Sequence, residues 1–396
     1  MKIWFLTPTF PPVHGGSETQ AFTLAAGLVR RGHRVQVLTE RYPGTSETEV
    51  LDGVRVHRVA TDPERWSSPD CVPWEERCFG LLRDAERLVR RGEVDVLQTF
   101  CQVGALLGAM MKAALDCPLV VSMNETTPHT DPFGDARSRL VFGGLPHDRV
   151  VAGSRAFAEQ ALDYGADPAK LHLVRYGVDE TLYGEVTPEA VREARAWMGT
   201  GPQDRIVLLV GRFKERKGQR ELVEAMTHVV RDHPRARAVL VGSLNSASAA
   251  YKRALEEDIA RAGLAGRVAL RTSDRPYGGM SALYRAADVV VQPSHSEGLG
   301  LSAIEAVLAG RPLVATRVPG LSEVLENCPG TVGVPPRDPA SLARAISAVL
   351  ADPDAAARDA ERAEEAARRE FTAEAMVNGY LKVYEQAVSA RGGAWR

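Results

Sequence analysis

Cysteine, lysine and long apolar runs are all scarce in this chain. Its five cysteines are scattered over 396 residues, are odd in number and are never spaced as CxxC, which argues against a disulfide framework and against a zinc site. No stretch approaches the roughly 18 uncharged apolar residues of a membrane span, and the N-terminal MKIWFLTPTFPP lacks the apolar core of a signal peptide. We therefore expect a cytoplasmic protein whose contact with membranes is at most peripheral.

Net charge is also nearly absent, because 49 Lys and Arg residues are balanced by 51 Asp and Glu residues. This balance gives no reason to expect a nucleic-acid partner. Only seven of the basic residues are Lys and the other 42 are Arg, which together with the many alanines indicates a GC-rich bacterial source. A chain of 396 residues is too long for one ordinary core, so we expect about two domains.

The first 40 residues predict a strand, a loop, a helix and a second strand. The apolar KIWFL is followed by the Pro- and Gly-rich TPTFPPVHGG, the amphipathic SETQAFTLAAGLVRRG and the strand-like HRVQVLTE. Ser17 and Gln20 have the spacing of a capping box, which predicts a helix start just after Gly15 and Gly16. Strand, helix and strand in this order make a βαβ unit of a parallel sheet.

The same alternation runs through the rest of the chain and predicts an α/β fold of two doubly wound domains in tandem. The boundary falls near 180–202, where GEVTPEAVREARAWMGTGPQD has the Pro, Gly and charge of a linker followed by a helix. We expect the first domain to span residues 1–180 and to be joined by a C-terminal helix over 373–390. The second domain then covers residues 181–372.

The strongest local pattern is ADVVVQPSHSEGLGLSAIEAVLAGRPLVAT, in which an apolar strand enters a glycine loop and then a helix. Gly298 and Gly300 let backbone approach a ligand, and the first amides of the helix are unpaired donors for oxygen-rich groups. Glu297 in the loop and Glu305 in the helix can each accept hydrogen bonds from hydroxyls. The alternative is an exposed loop glutamate and a solvated helix glutamate.

A second pattern, VLLVGRFKERKGQRELVEAM, places charge at the end of another strand. Arg212 and Lys217 are predicted at the carboxyl edge of the second sheet, where doubly wound folds bind ligands. An Arg fork and a mobile Lys charge suit a diphosphate. For Lys214, Glu215 and Arg216 we favour a solvated charged turn.

A third pattern is the pair Gly15 and Gly16 at the start of the first helix. Helix N-termini next to glycine loops can hold phosphate groups, although a tight turn explains two glycines equally well.

These patterns together resemble the retaining glycosyltransferases of family 4, which have the GT-B architecture of two doubly wound Rossmann-like domains facing across a cleft. The resemblance covers most of the chain. Its segments, in order, are PPVHGGSE, RRGHRVQVLT, RYGVDETLY, GRFKERKG, EGLGLSAIE with two glutamates separated by seven residues, VPGLSEVL and VGVPPRDPASLARAI.

The resemblance implies an enzyme that moves a hexosyl group from a UDP- or GDP-linked sugar to a small-molecule or glycan acceptor, with retention of configuration. It implies front-face attack helped by the leaving phosphate oxygen, and neither a metal nor another cofactor. Arg212 and Lys217 would neutralise the departing diphosphate, a charge stabilisation that a metal provides in other transferases. The first domain would bind the acceptor and the second the nucleotide-sugar, in a monomer or a homodimer.

The resemblance also assigns the remaining donor contacts. Glu297 would act with the catalytic cations by holding the donor sugar, and Glu305 would hold the ribose. The other implied donor-binding residues are Gly15 and Gly16 near the phosphate, Gly298, Leu299 and Gly300 through their amides, and Thr272 and Ser273 near the base.

One position departs from the family pattern. After the strand LVVSM the family commonly has a His near the C6 hydroxyl of the donor sugar, whereas this chain has Asn124. Asn keeps donor and acceptor capacity but cannot be charged, which makes a sugar altered at C6 more plausible as donor. Glu125, His129 and His14 are candidates for contacts with the acceptor. His295 also falls near the predicted site, with no assigned role.

Three other functions are compared with sugar transfer. A nucleotide-sugar epimerase or hydrolase of the same architecture would convert donor without an acceptor, and a non-catalytic sugar-nucleotide binder is conceivable because of Asn124. A dinucleotide-dependent oxidoreductase is disfavoured: Glu40 could bind an adenosine ribose, but no GxGxxG follows the first strand. For the transferase, an aminocyclitol, another natural-product core, a polysaccharide primer and a glycolipid remain open as acceptors.

Overall fold

The computed structural model describes residues 1–13, 15–59, 74–124, 134–243, 246–272 and 279–390. The chain divides into two compact units. Unit 1 contains Met1–Gly177 and Ala373–Arg396, and unit 2 contains Val178–Thr372. Each unit is built on a mainly parallel sheet, so the prediction of two doubly wound α/β domains is confirmed.

Unit 1 has an eight-stranded sheet in the order β3-β4-β2-β1-β5-β6-β7-β8. Its strands are β1 Lys2–Leu6, β2 Arg34–Glu40, β3 Thr48–Leu51, β4 Val54–Val59, β5 Val96–Phe100, β6 Leu119–Met123, β7 Arg149–Ala152 and β8 Leu171–Leu173. Every pair is parallel except β3 with β4. The central strands β5 and β6 are buried along their length because helices cover both faces of a parallel sheet.

The helices of unit 1 include the last helix of the chain. They are α1 Gly16–Arg30, α2 Trp74–Leu88, α3 Cys101–Leu115, α4 Gly134–Arg139, a short π-helix Leu140–Gly144 and α5 Arg155–Asp163. Because the helices are numbered in chain order and the next ones belong to unit 2, the last helix of unit 1 is α14 Ala373–Ser389. Buried side chains of α14 join the core between β1, β5 and α1. A buried hydrogen-bond chain also attaches α14: the Tyr384 hydroxyl donates to Gln98 Oε1 at 3.0 Å, and Gln98 Nε2 donates to Ser122 Oγ at 2.9 Å.

Unit 2 has a six-stranded parallel sheet in the order β11-β10-β9-β12-β13-β14. Its strands are β9 Arg205–Val210, β10 Ala236–Gly242, β11 Val268–Thr272, β12 Val289–Gln292, β13 Leu313–Thr316 and β14 Val332–Val334. The order reverses between β9 and β12, just as it reverses between β1 and β5 in unit 1. Such switch points open a crevice at the carboxyl ends of the strands, where ligands bind in doubly wound folds.

The helices of unit 2 alternate with its strands. They are α6 Pro188–Met198, α7 Gln219–Asp232, α8 Ser246–Arg261, α9 Ser281–Ala286, α10 Leu301–Leu308, α11 Pro319–Asn327, α12 Pro339–Ala351 and α13 Pro353–Glu370. Short 3-10 turns cover Glu180–Tyr183 and Glu215–Lys217. The sequence pattern does not predict β3 or β8, because short edge strands carry too few residues to show a period of two.

Candidate active site

Two loops leave the carboxyl edge of unit 2 at its switch point and pack against each other. The first follows β9 and ends at Gly218, and the second follows β12 and includes Pro293. Gly218 has φ of 69°, a left-handed conformation that favours glycine, and caps the N-terminus of α7. A Cβ at Gly218 would lie 1.9 Å from the Pro293 carbonyl oxygen, so only glycine allows this approach. The sequence predicts both loops at one edge, and the structure places them in contact.

Lys217 and Glu297 form an ion pair between these loops. Lys217 Nζ lies 2.5 Å from Glu297 Oε1, and their side chains are only 14% and 8% exposed. Ser294 Oγ donates to the same Glu297 oxygen at 2.8 Å. Burial acts to raise the pKa of Glu297, but the charges of Lys217 and Arg216 and these two hydrogen bonds outweigh burial and lower it. Glu297 is therefore ionised at neutral pH and compensates part of the local positive charge.

Arg216 contacts the loop that carries Glu297, which the sequence interpretation did not predict. The predicted charged turn is present as the 3-10 turn Glu215–Lys217, but Arg216 Nη1 also donates to the Ser296 carbonyl at 3.0 Å and lies 3.6 Å from Glu297 Oε2. Its side chain is 41% exposed, so it spans the boundary between the loop and solvent. A run of four charged residues carries no information about which side chains contact a neighbouring loop, because tertiary packing determines those contacts.

Positive charge exceeds negative charge in the segment after β9. The pKa of Lys214 is lowered, chiefly by the charge of Arg212, then by burial and by the charges of Arg216 and Lys217. Arg212 itself is exposed, and its carbonyl accepts a hydrogen bond from Gln219 Nε2 at 3.0 Å. Like charges held this close favour an anion that neutralises several of them at once.

The glycine loop after Glu297 fits closely against α11. Gly300 has φ of 94°, and a Cβ there would lie 2.4 Å from Leu321 Cδ2. Gly300 is also the N-cap of α10, where no side chain caps the helix. Leu299, another predicted donor contact, is only 2% exposed over the whole residue. Gly298 lies at the surface of the same loop with intermediate burial.

Glu305 is buried on α10 rather than solvated. It is 3% exposed, and its Oε2 accepts a hydrogen bond from the Tyr284 hydroxyl at 2.7 Å. Tyr284 is itself buried and lies edge-on to Tyr183, with ring centroids 5.9 Å apart. A buried carboxylate held in this way has a fixed orientation, whatever ligand it meets.

The predicted base contacts are only partly within the described structure. Thr272 is the last residue of β11 and is exposed at the carboxyl edge of the unit 2 sheet. Ser273 lies outside the described residues.

In unit 1, the start of α1 differs from the capping-box prediction. Gly15 is the N-cap and no side chain caps the helix. The Ser17 hydroxyl instead donates to the Asn124 carbonyl at 3.2 Å, and Gln20 Nε2 donates to the Gly177 carbonyl at 3.0 Å. Both side chains therefore bond to residues distant in sequence instead of to the backbone at the start of α1. Gly16, the first residue of α1, is exposed.

Glu18 lies close to Gly15 at the start of α1. A Cβ at Gly15 would lie 2.2 Å from Glu18 Oε2, and Glu18 Oε1 accepts a hydrogen bond from the Thr9 hydroxyl at 2.7 Å. The helix N-terminus that was predicted to meet a phosphate thus already has a carboxylate in its first turn. Any phosphate there would share the helix terminus with Glu18.

Asn124 follows β6 at the carboxyl edge of unit 1 and is 8% exposed. Its Oδ1 accepts a hydrogen bond from the Cys101 backbone N–H at 3.1 Å. Because a backbone amide can only donate, this contact fixes which amide atom is oxygen. Asn124 Nδ2 is buried and has no hydrogen-bond partner among the described residues. His14, Glu125 and His129, the predicted acceptor contacts, lie outside the described residues.

The described part of the chain contains no helix that is both long and apolar enough to cross a bilayer. It also contains no group of three or more His, Cys, Asp or Glu side chains placed to hold a metal ion.

Comparison with known proteins identifies the family. The family model described as Glycosyltransferase Family 4 matches residues 14–182, and the model described as Glycosyl transferases group 1 matches residues 192–370. A D-inositol 3-phosphate glycosyltransferase from Kineococcus radiotolerans is 32% identical, over 95% of this chain and 92% of the relative. Two Rossmann-like units with these loops therefore define a GT-B enzyme. The chain belongs to the group 1 glycosyltransferases, and it is a glycosyltransferase.

Solved structures agree on the fold. Sucrose-phosphate synthase from Thermosynechococcus elongatus has a TM-score of 0.83 at 23% identity, covering 98% of this chain and 99% of the other. Anabaena Alr3699/HepE in complex with UDP-glucose has a TM-score of 0.77 at 22% identity, covering 99% of each chain. At these identities the similarity establishes the GT-B fold and nothing finer.

Proposed function

We propose that this chain transfers a hexosyl group from a nucleotide-diphosphate sugar to a small polyhydroxylated acceptor, with retention of configuration. The observation that carries the proposal is the Lys217–Glu297 pair, which joins the cationic segment after β9 to the loop after β12. A diphosphate supplies the negative charge that this segment lacks, and a carboxylate beside it suits sugar hydroxyls. A UDP-linked sugar is the first candidate, because the HepE structure contains UDP-glucose.

Each proposed contact in unit 2 has a chemical role. Arg212 and Lys217 stabilise the charge that grows on the diphosphate as the glycosidic bond breaks, so no metal ion is needed for that purpose. Glu297 accepts hydrogen bonds from sugar hydroxyls, near the amides of Gly298 and Gly300. Glu305 accepts from the ribose, and Tyr284 holds its carboxylate in place.

We propose front-face attack for the chemical step. The bond from the anomeric carbon to the diphosphate oxygen breaks, and an acceptor oxygen bonds to the same face of the sugar. The acceptor proton passes to the departing phosphate oxygen, so the protein provides charge stabilisation and orientation rather than a nucleophile.

Unit 1 is proposed to present polar contacts to a substrate at its own carboxyl edge. Asn124 Nδ2 is a buried hydrogen-bond donor there, so the substrate group that it meets must carry an oxygen that accepts a hydrogen bond. The relative from Kineococcus radiotolerans is named for D-inositol 3-phosphate, and the Thermosynechococcus structure is named for sucrose-phosphate. Phosphorylated polyols and sugars are therefore the first acceptors to test.

The experiment measures binding and then transfer. We expect UDP or GDP to raise the melting temperature of the wild-type protein, because a ligand that binds only the native state stabilises it. With the matching sugar donor and an acceptor panel, product NMR should show the anomeric configuration of the donor. Lys217→Ala should lose binding and transfer, whereas Lys252→Ala, at an exposed ion pair on α8, should retain both. Donor hydrolysis or epimerisation without acceptor, at the rate of transfer, would instead favour those activities.

A further inference from the structure

His295 connects the two loops of the site through both its backbone and its side chain. Its backbone N–H donates to the Arg216 carbonyl at 2.7 Å, directly before Lys217. Its Nε2 lies 2.6 Å from Oε1 of Glu221, in the first turn of α7. His295 is therefore hydrogen-bonded to residues on both sides of Lys217, namely Arg216 and Glu221.

The contact between His295 and Glu221 is shielded from solvent. The two side chains are 14% and 16% exposed. A carboxylate oxygen in this contact is the acceptor, so His295 Nε2 carries the proton and donates. A charge-assisted hydrogen bond in such surroundings is stronger and more directional than one between neutral groups.

The loop that His295 anchors carries Glu297 two residues later. From the other side, the Thr316 hydroxyl donates to the Ser294 carbonyl at 2.6 Å. This bond fixes the start of the loop against β13, while the His295 contact fixes it against α7. Both anchors therefore lie directly before Glu297, whose Oε1 contacts Lys217 Nζ.

We infer that His295 and Glu221 are positioning residues, which set the register of Glu297 and Lys217 toward a donor sugar and its diphosphate. This inference rests on the proposed function. Neither residue needs to touch substrate, because the positions of catalytic groups also depend on the neighbouring residues that hold them in place. A displacement of about 1 Å at a reacting group can reduce turnover about 100-fold.

The test breaks the contact from each side. His295→Leu and Glu221→Leu should each lower kcat/KM for the donor about tenfold and weaken UDP binding several-fold, with the acceptor KM unchanged. His295→Gln keeps an N–H donor at similar reach and should return kcat/KM to within about threefold of wild type. His228→Leu, an exposed histidine toward the other end of α7, is the matched control and should behave as wild type.

A double-mutant cycle separates positioning from general destabilisation. His295→Leu combined with Glu221→Leu should lose no more donor kcat/KM than either single variant, because both break one contact. Wild-type donor kinetics in both single variants, losses that multiply in the double variant, or no rescue by Gln would overturn the inference. If the leucine variants unfold, the comparison of His295→Gln with His295→Ala carries the same test. Failure of the wild-type protein to bind any nucleoside diphosphate would instead overturn the proposed function, and this inference with it.

Discussion

The ion pair between Lys217 and Glu297 leads to a counterintuitive prediction for Glu297→Gln. Glu297 pairs with Lys217, the same cation that we assign to the diphosphate. A nucleoside diphosphate must therefore compete with Glu297 for Lys217. Removing the carboxylate charge should make nucleotide binding tighter, even though sugar transfer becomes slower.

The magnitude follows from the burial of the pair. A hydrogen bond to a charged group contributes about 1.5–3 kcal/mol to stability. The Gln amide oxygen can still accept from Lys217, so only part of that contact is lost. We expect a gain of about 1.4 kcal/mol, which makes the Kd of UDP about tenfold smaller. Loss of the charged contact to sugar hydroxyls should lower kcat about 100-fold, as removal of a preorganised charge-stabilising group commonly does.

Isothermal titration with UDP tests this, and Glu305→Gln is the matched control. Glu305 is also buried and is bound to Tyr284 rather than to Lys217. Its substitution should leave UDP binding unchanged or weaken it, which is the opposite sign. A Kd for Glu297→Gln that equals or exceeds the wild-type value would show that Glu297 does not compete for Lys217.

Three further predictions concern other parts of the molecule. Tyr384→Phe leaves Gln98 Oε1 buried without its donor and should lower the free energy of unfolding by about 1–3 kcal/mol in urea titrations; an unchanged midpoint would mean that α14 does not depend on this bond. Asn124→Asp keeps an acceptor for the Cys101 amide but replaces the buried Nδ2 donor with a carboxyl oxygen. We expect kcat/KM to fall at least tenfold and the melting temperature to fall as well, and wild-type kinetics would remove this residue from the site. Transfer should persist in excess EDTA, and activity that returns only with added Mg²⁺ or Mn²⁺ would contradict charge stabilisation by Arg and Lys alone.

The fold followed from local patterns because most elements are long and strongly patterned. Mainly apolar runs such as β9 and β6 are typical of strands in covered parallel sheets. Helices such as α12 begin at an Asp N-cap followed by Pro, a signal that the sequence shows directly. The C-terminal helix α14 has an apolar spacing, but its membership of unit 1 depends on contacts with residues hundreds of positions away, such as Tyr384 with Gln98.

The site was predictable as a set of residues and not as a set of contacts. The sequence predicts contacts of Lys217 and Glu297 with different parts of the donor, and nothing in their spacing shows that they also pair with each other. Ser17 fits a capping box in sequence, but its hydroxyl donates to the carbonyl of Asn124, which lies 107 residues later in the chain. Local rules fail at such positions because a buried polar group takes whichever partner the tertiary fold brings closest.

The choice of Lys at position 217 is informative in a chain that uses Arg six times as often. An Arg would form a planar bidentate pair with Glu297, in which two hydrogen bonds must break before the carboxylate is released. A Lys ammonium is a compact charge on a flexible stem, so it can exchange a carboxylate for a diphosphate without rebuilding a bidentate geometry. Arg212 is exposed and forms no ion pair with a carboxylate of the described residues, so in the proposed function its guanidinium binds the diphosphate alone. On this reasoning the two cations are not interchangeable: one must change partners during the cycle, and the other must not.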